Sequence, residues 1–322
     1  MVSPRSFLGR VFPWLWRTVA IPRELVRQGV TLYHGLSNEL PLGICRTGVR
    51  SVVTIHDVIF LHCPQYYRAV DRFIYGIKFR YAARVADRVV AVSHYTKGEL
   101  VRLLGVPEGK IDVVYQGISL DFSRVSDDDK AVVRSRYGLP QRYVLYVGTI
   151  EERKNLLLVA RAMKLLRDRG ELTRDFCLVA IGRSTPYADV LKRFLSCEGL
   201  WGHFIFLHDV DFADLPACYL MADFFVYPSR IEGFGIPMLE AASAGIPAIG
   251  CTGSSLEEAG GEGAFYVGPD DVEAMADRML ALWSNEGLRR ERSAMGLSHA
   301  ERFSDSRLFD DLMAVYRKVI SQ

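Results

Sequence analysis

The sequence predicts an α/β protein of two successive doubly wound parallel sheets. Three observations carry that prediction. Short apolar, β-rich runs alternate with helix-period segments along the whole 322-residue chain. Most of those runs are apolar throughout rather than alternating, as strands buried on both faces are. The length exceeds the ~100–200 residues of a typical domain.

In the first half the strand-like runs are Thr31–Tyr33, Ser51–Ile55, Arg88–Val92 and Ile111–Tyr115. In the second half they are Tyr143–Val147, Phe176–Ile181, Phe204–Leu207, Phe224–Tyr227, Ala248–Gly250 and Phe265–Val267. Helical patterning separates them at Ala69–Val85, Leu156–Arg169, Ala188–Ser196, Met238–Ala244, Val272–Ser284 and Glu286–Phe303. A helix is also expected to start at Ser93, whose hydroxyl can cap it. Strand–helix repetition of this kind builds βαβ units. The stretch Asp121–Arg142 reads as a polar connection, with Asp127-Asp128-Asp129 as solvated charge and Gly138-Leu-Pro140 as a turn. The last segment, 304–322, reads as an amphipathic helix with Leu308, Leu312, Val315, Tyr316 and Ile320 on one face. The expected domains are 1–125 and 140–303, with the 304–322 helix packing back toward the first.

Composition sets limits. Forty Lys and Arg against 38 Asp and Glu give a net charge of +2, which argues against general nucleic-acid binding. The six cysteines have no C-x-x-C spacing, so a zinc ribbon and a redox motif are not suggested. Cys177 reads as a buried small hydrophobe, and the pattern suits a reducing cytoplasm. No apolar run reaches the ~20 residues of a membrane helix.

The chemistry collects at strand ends, where ligands of such sheets bind. After Phe224–Tyr227 comes Pro228-Ser-Arg-Ile-Glu232-Gly233-Phe234-Gly235-Ile236-Pro237-Met-Leu-Glu240. The glycines permit a sharp turn and close approach to a ligand. Pro237 suits the first position of a helix, and Glu240 would fall in its first turn. The helix start favours an anion such as phosphate. Glu232 and Glu240 then suit sugar hydroxyls on either side of a bound diphosphate. The alternative is a plain glycine turn with a capping Glu. After Tyr143–Val147 comes Gly148-Thr-Ile-Glu-Glu-Arg153-Lys154-Asn, whose two cations suit a departing diphosphate. The alternative there is a solvated charge run. After Ser51–Ile55 come His56 and Asp57. His56 suits a sugar hydroxyl or proton transfer, or else it is satisfied by its own loop. His62 and Cys63 have no recognised metal spacing, and Asp209-Val-Asp211 is a weak cation candidate.

Taken in order, Val-Thr-Ile-His56-Asp57, Ala86-Asp-Arg-Val-Val-Ala-Val-Ser93, Gly148-Thr-Ile-Glu-Glu-Arg153-Lys154-Asn and Glu232-Gly-Phe-Gly-Ile-Pro-Met-Leu-Glu240 resemble family 4 of the retaining GT-B glycosyltransferases. The resemblance covers about Arg17 to the C-terminus. It implies two Rossmann-like domains facing a cleft and transfer of a hexose, with retention, from a GDP- or UDP-linked sugar. The acceptor would be a glycan or a lipid-linked glycan in surface polysaccharide or glycolipid synthesis. It implies no metal and no cofactor beyond the nucleotide sugar. Lys154 and Arg153 would meet the diphosphate, with Gly148 in the same loop. Glu232 would lie near the sugar, Glu240 at the ribose, and the backbone of Gly233–Ile236 at sugar and phosphate. His56 would face the donor sugar. The family often has Arg directly after the glycine of the first loop, whereas this chain has Thr149. A nucleotide-sugar epimerase and a non-catalytic sugar-nucleotide-binding protein remain as other readings.

The N-terminal segment Arg5–Arg27 interleaves Arg5, Arg10, Arg17, Arg23 and Arg27 with Phe7, Phe12, Trp14 and Trp16. It suits either a helix packed on the sheet or a peripheral contact at the inner face of the cell membrane. His56 comes early for this family. The expectation is therefore that at least one βα unit has no counterpart upstream, leaving about four strands against six and a less stable first half.

Overall fold

The computed structural model describes residues 16–321. Two compact units divide the chain, Met1–Tyr115 with Asp305–Gln322 and Gln116–Ser304. The helices of at least five residues, in chain order, are α1 (Ile21–Arg27), α2 (Ala69–Val85), α3 (His94–Leu104), α4 (Asp127–Tyr137), α5 (Leu156–Asp168), α6 (Tyr187–Cys197), α7 (Leu215–Leu220), α8 (Ile236–Ser243), α9 (Leu256–Gly260), α10 (Val272–Ser284), α11 (Glu286–Ala300) and α12 (Asp305–Ile320). The strands are β1 (Leu32–Gly35), β2 (Arg50–Ile55), β3 (Arg88–Ala91), β4 (Ile111–Val113), β5 (Val144–Val147), β6 (Leu178–Ile181), β7 (Phe204–Leu207), β8 (Phe224–Tyr227), β9 (Ala248–Cys251) and β10 (Phe265–Val267). All ten apolar runs are therefore strands, with ends shifted by a residue or two.

In the first unit the strands pair in parallel in the order β1-β2-β3-β4. The order runs one way, so right-handed crossovers place α2 and α3 on one face. Strand alternation then sorts the side chains. Val53, Ile55, Val89 and Ala91 join a core with Phe79, Ala82 and Ala83 of α2 and Leu100 of α3. Val52, Val90 and Val114 turn to the other face and meet Val315 and Val319 of α12. The helix that closes this face thus comes from the far end of the chain. Polar contacts fix it there: Lys318 pairs with Asp112 at 2.7 Å. The His34 ring bridges Tyr316 Oη at 2.7 Å and Thr54 Oγ1 at 2.8 Å. Two buried valines in α12 contribute about 1.5–3 kcal/mol each at most.

The second unit's sheet runs β10-β9-β8-β5-β6-β7, all parallel. From β5 the chain winds outward through β6 and β7, then returns to β8 on the other side and winds out through β9 and β10. The winding direction therefore reverses between neighbours β5 and β8, which is where such sheets bind ligands. Tyr143, Tyr146, Phe224, Phe225 and Tyr227 are buried in and beside these two strands. Gly182, after β6, is forced: its φ is +150° and a Cβ would lie 2.1 Å from Gly148 O.

Two expectations are corrected. The polar stretch 121–142 belongs to the second unit and contains α4. Asp127-Asp128-Asp129 are exposed, as expected of solvated charge, and form the first turn of that helix. Ser126 and Asp129 form a reciprocal capping box, and Val133 is buried, so the acidic run complements the helix dipole. Pro237 is the second residue of α8, with Gly235 as the N-cap, rather than the first. Glu240 is consequently the fifth residue of α8, beyond its first turn. The helix starting after Ser93 is α3, and Ser93 Oγ accepts from Thr96 N at 2.9 Å. Of the basic-aromatic N-terminal segment, Arg5, Phe7, Arg10, Phe12 and Trp14 lie outside the described residues. Its remainder is helical, as a π-helical turn Trp16–Ala20 followed by α1.

Candidate functional site

Pairing of β5 with β8 sets the loops that follow them side by side. The first runs from Gly148 through a 3-10 turn, Glu152–Lys154, to Asn155, which is left-handed at φ 57°. The second is Pro228–Gly235. Arg230 N donates to Arg153 O at 2.9 Å, and the Arg153 guanidinium donates to Ile231 O at 2.8 Å. Tyr146, at the end of β5, donates to Thr149 O at 2.9 Å and holds the first loop to its own strand.

Glu232 sits where the loops meet, and its side chain is 12% exposed. One oxygen, Oε1, collects every partner. Lys154 Nζ lies at 2.6 Å and Arg153 Nη1 at 3.0 Å. Ser229 Oγ donates from 2.6 Å and Tyr227 Oη from 3.1 Å. Among the described residues, Oε2 has no hydrogen-bond partner. Lys154 also bonds Tyr227 Oη, and Arg153 Nη2 pairs with Glu151 at 2.7 Å. Burial alone would raise the Glu232 carboxyl, but Lys154 and Arg153 outweigh it and hold the group below the usual carboxylate range. Burial keeps the Tyr227 and Tyr146 phenols protonated far above neutral pH.

The loop ends at Gly235, left-handed at φ 102°, where a Cβ would lie 2.6 Å from Leu256 Cδ2. The left-handed conformation favours glycine there, and a Cβ would also press on the Leu256 side chain. The start of α8 follows at once. Ser255 Oγ clamps the loop from behind by donating to Glu232 O at 2.9 Å. Glu240 is half-buried and accepts from Tyr219 Oη at 2.8 Å. Burial raises its carboxyl above the usual range, with Tyr219 pulling the other way. Tyr219 is itself buried in α7, its ring 5.4 Å from Phe225 and 5.9 Å from Phe122 between centroids.

The structure thus brings together Gly148, Arg153, Lys154, Glu232, Gly233, Phe234, Gly235, Ile236 and Glu240 on two adjoining loops and one helix. Arg153 and Lys154 are not a solvated charge run; they are 16% and 12% exposed and paired with Glu232. His56 belongs to the first unit, at the end of β2. Its backbone N donates to Asn38 Oδ1 at 2.8 Å, and its Nε2 is 2.8 Å from Leu36 O. His62 Nδ1 lies 2.8 Å from Glu99. Asp211 N donates to Tyr137 Oη at 3.2 Å. Among the described residues no group of three or more His, Cys, Asp or Glu could hold a metal ion, and no helix is long and apolar enough to cross a membrane.

Sequence reading missed four supports: Tyr219, Tyr227, Ser229 and Ser255. Tyr227 and Ser229 flank the loop and could have been suspected from position. Nothing local marks Tyr219, which lies 21 residues before the carboxylate it meets.

Glycine-bounded, cation-bearing loops at a switch point are the signature of an α/β protein that binds a phosphorylated ligand. Comparison with known proteins narrows this class. Residues 129–297 match the family model described as glycosyl transferases group 1, and residues 2–122 match that of glycosyltransferase family 4. The O-antigen chain mannosyltransferase B of Escherichia coli is 33% identical over 275 residues, covering 85% of this chain and 70% of that protein. A GDP-mannose-dependent alpha-(1-6)-phosphatidylinositol monomannoside mannosyltransferase of Mycolicibacterium smegmatis is 31% identical, covering 66% of this chain and 56% of its own length. Against the E. coli serotype-specific mannosyltransferase WbdA the chain spans only 34% of the relative. Among solved structures, Anabaena HepE in complex with UDP and glucose aligns with a TM-score of 0.73 at 16% identity, over 100% of this chain and 84% of that one. The chain belongs to glycosyltransferase family 4 and has the GT-B fold.

Proposed function

We propose that this chain transfers mannose from GDP-mannose, with retention and without a metal, to a growing or lipid-linked surface glycan. The Glu232 arrangement is the observation that supports this reading best. One carboxylate oxygen is saturated by Lys154, Arg153, Ser229 and Tyr227, while Oε2 is left for a ligand. A donor diphosphate draws Lys154 and Arg153 onto its own oxygens, where their charge stabilises the leaving group as the glycosidic bond breaks. The carboxylate they release accepts a sugar hydroxyl. Glu240, oriented by Tyr219, takes the ribose hydroxyls. The start of α8 and Gly233–Ile236 meet the phosphate and sugar. His56 is the first unit's catalytic side chain in this reading. Mannose and GDP are favoured because mannosyltransferases, one of them GDP-mannose-dependent, stand among the relatives. Synthesis at the inner face of the cell membrane fits such an acceptor.

A calorimetric screen of GDP-mannose, UDP-glucose, ADP-glucose and dTDP-glucose tests the donor. GDP-mannose should bind most tightly, and mannose transfer to a lipid-linked acceptor should persist in EDTA. Preference for another base would overturn the donor, a strict Mg²⁺ or Mn²⁺ requirement the metal-free mechanism, and no binding at all the enzyme reading.

A further inference from the structure

Among the described residues, two that are not glycine take a positive φ, Asn38 at 62° and Asn155 at 57°. Asn155 ends the cation-bearing loop of the second unit. Asn38 lies in the first unit, in the loop that follows β1. A left-handed residue with a side chain is uncommon and persists where its surroundings hold it, often at functional loops.

Asn38 is held because it continues the β1–β2 ladder with a side-chain atom. Gly35, the last residue of β1, pairs with Val53 in parallel register. In a parallel ladder a residue donates its N–H to the carbonyl just before its partner and accepts from the N–H just after it. Asn38 does both around Ile55. Its N donates to Thr54 O at 2.9 Å. Its Oδ1, in the place of a backbone carbonyl, accepts from His56 N at 2.8 Å. The same loop holds the His56 ring, whose Nε2 is 2.8 Å from Leu36 O. A carbonyl only accepts, so that contact puts the ring proton on Nε2. The loop is itself anchored. A Cβ on Gly35 would lie 2.1 Å from Glu39 O, and Leu40 joins Ile55 in the core.

We infer that Asn38 is a positioning residue for His56. It fixes the backbone where His56 leaves β2, and Leu36 O then sets the ring's orientation and tautomer. The imidazole is thereby held in one geometry before any ligand arrives. Asparagine suits the position twice over, because it tolerates the left-handed region and carries an acceptor. The inference rests on the reading of His56 as the first unit's catalytic side chain.

Two substitutions separate backbone conformation from hydrogen bond. Asn38→Gly keeps the left-handed conformation and removes the acceptor; Asn38→Asp keeps both. With ¹⁵N-labelled histidine, NMR of the full chain should show neutral His56 as a single tautomer protonated at Nε2, its signals assigned by their loss in His56→Gln. Asn38→Gly should mix the tautomers, and Asn38→Asp should restore the single one. In mannose transfer, Asn38→Gly should lower kcat about 10–100-fold while GDP binds with parental affinity, since the cation-bearing loops belong to the second unit. Asn38→Asp should recover most of kcat. A parental tautomer or a parental kcat in Asn38→Gly would overturn the proposal, as would a loss of GDP affinity as large as the loss of rate. If the parent transfers no sugar while Asn38→Gly still mixes the tautomers, the enzyme assignment fails and the positioning of His56 by Asn38 stands.

Discussion

Replacing Glu232 by Gln should tighten nucleoside diphosphate binding while slowing transfer. In the free protein Lys154 and Arg153 are held at 2.6 and 3.0 Å by the Glu232 carboxylate. An incoming diphosphate must win them from it. A charge-assisted hydrogen bond contributes ~1.5–3 kcal/mol and a neutral one ~0.5–1.5 kcal/mol. Exchanging the carboxylate for an amide therefore frees about 1–2 kcal/mol across the two cations, or a 5–30-fold gain in affinity for GDP. The sugar nucleotide should gain less, because the hydroxyl contact at Oε2 weakens. The same change leaves two largely buried cations undercompensated. Breaking a buried pair costs ~3–5 kcal/mol. Arg153 keeps Glu151 and Ile231 O as partners, so a stability loss of about 2–3 kcal/mol is expected. GDP should restore much of it by mass action. Calorimetry with GDP and GDP-mannose, and thermal unfolding with and without GDP, read all three effects. A folded variant that binds GDP no more tightly than the parent would refute the competition between Glu232 and the diphosphate.

Three further outcomes are expected. Lys154→Ala should weaken GDP binding about 10–150-fold by removing a charge-assisted contact, checked by calorimetry; parental affinity and rate in a folded variant would place Lys154 outside the site. Tyr219→Phe removes the donor to Glu240 and should raise that carboxyl further, shifting the acid limb of nucleotide affinity to higher pH. An unmoved affinity-versus-pH profile would show that Tyr219 does not tune Glu240. Burial lowers His34 from 6.5 to about 4, so protonation favours the unfolded first unit. Its stabilising effect is complete above pH 6.5 and fades as pH falls toward 4. At full burial that shift corresponds to ~3 kcal/mol; with His34 only half-buried, about 1–2 kcal/mol is expected, read as earlier loosening of α12 by hydrogen exchange near pH 5. His34→Gln should flatten that dependence.

Local patterning determined the ten strands, because each is a short apolar run whose meaning does not depend on its neighbours in space. It also marked Arg153, Lys154, Glu232 and Glu240, since glycine-bounded strand ends announce themselves in the chain. What patterning missed was capped or paired at a distance. The acidic run at Asp127 is solvated as read, but its place in a capping box and at a helix dipole becomes visible only once the chain turns. For Arg153 and Lys154 a solvated charge run stayed open as the alternative because their shared partner, Glu232, lies far along the chain. The order of strands set that meeting: only the adjacency of β5 and β8 brings the two loops together and concentrates three hydrogen-bond donors and the Arg153 guanidinium on one oxygen. In the same way, the one-way winding of the first sheet left a bare face, and α12 from the far end of the chain covers it. Sequence fixes which residues can do chemistry or fill a core; the pairing of distant segments decides which charges neutralise each other and which atoms stay available to a ligand.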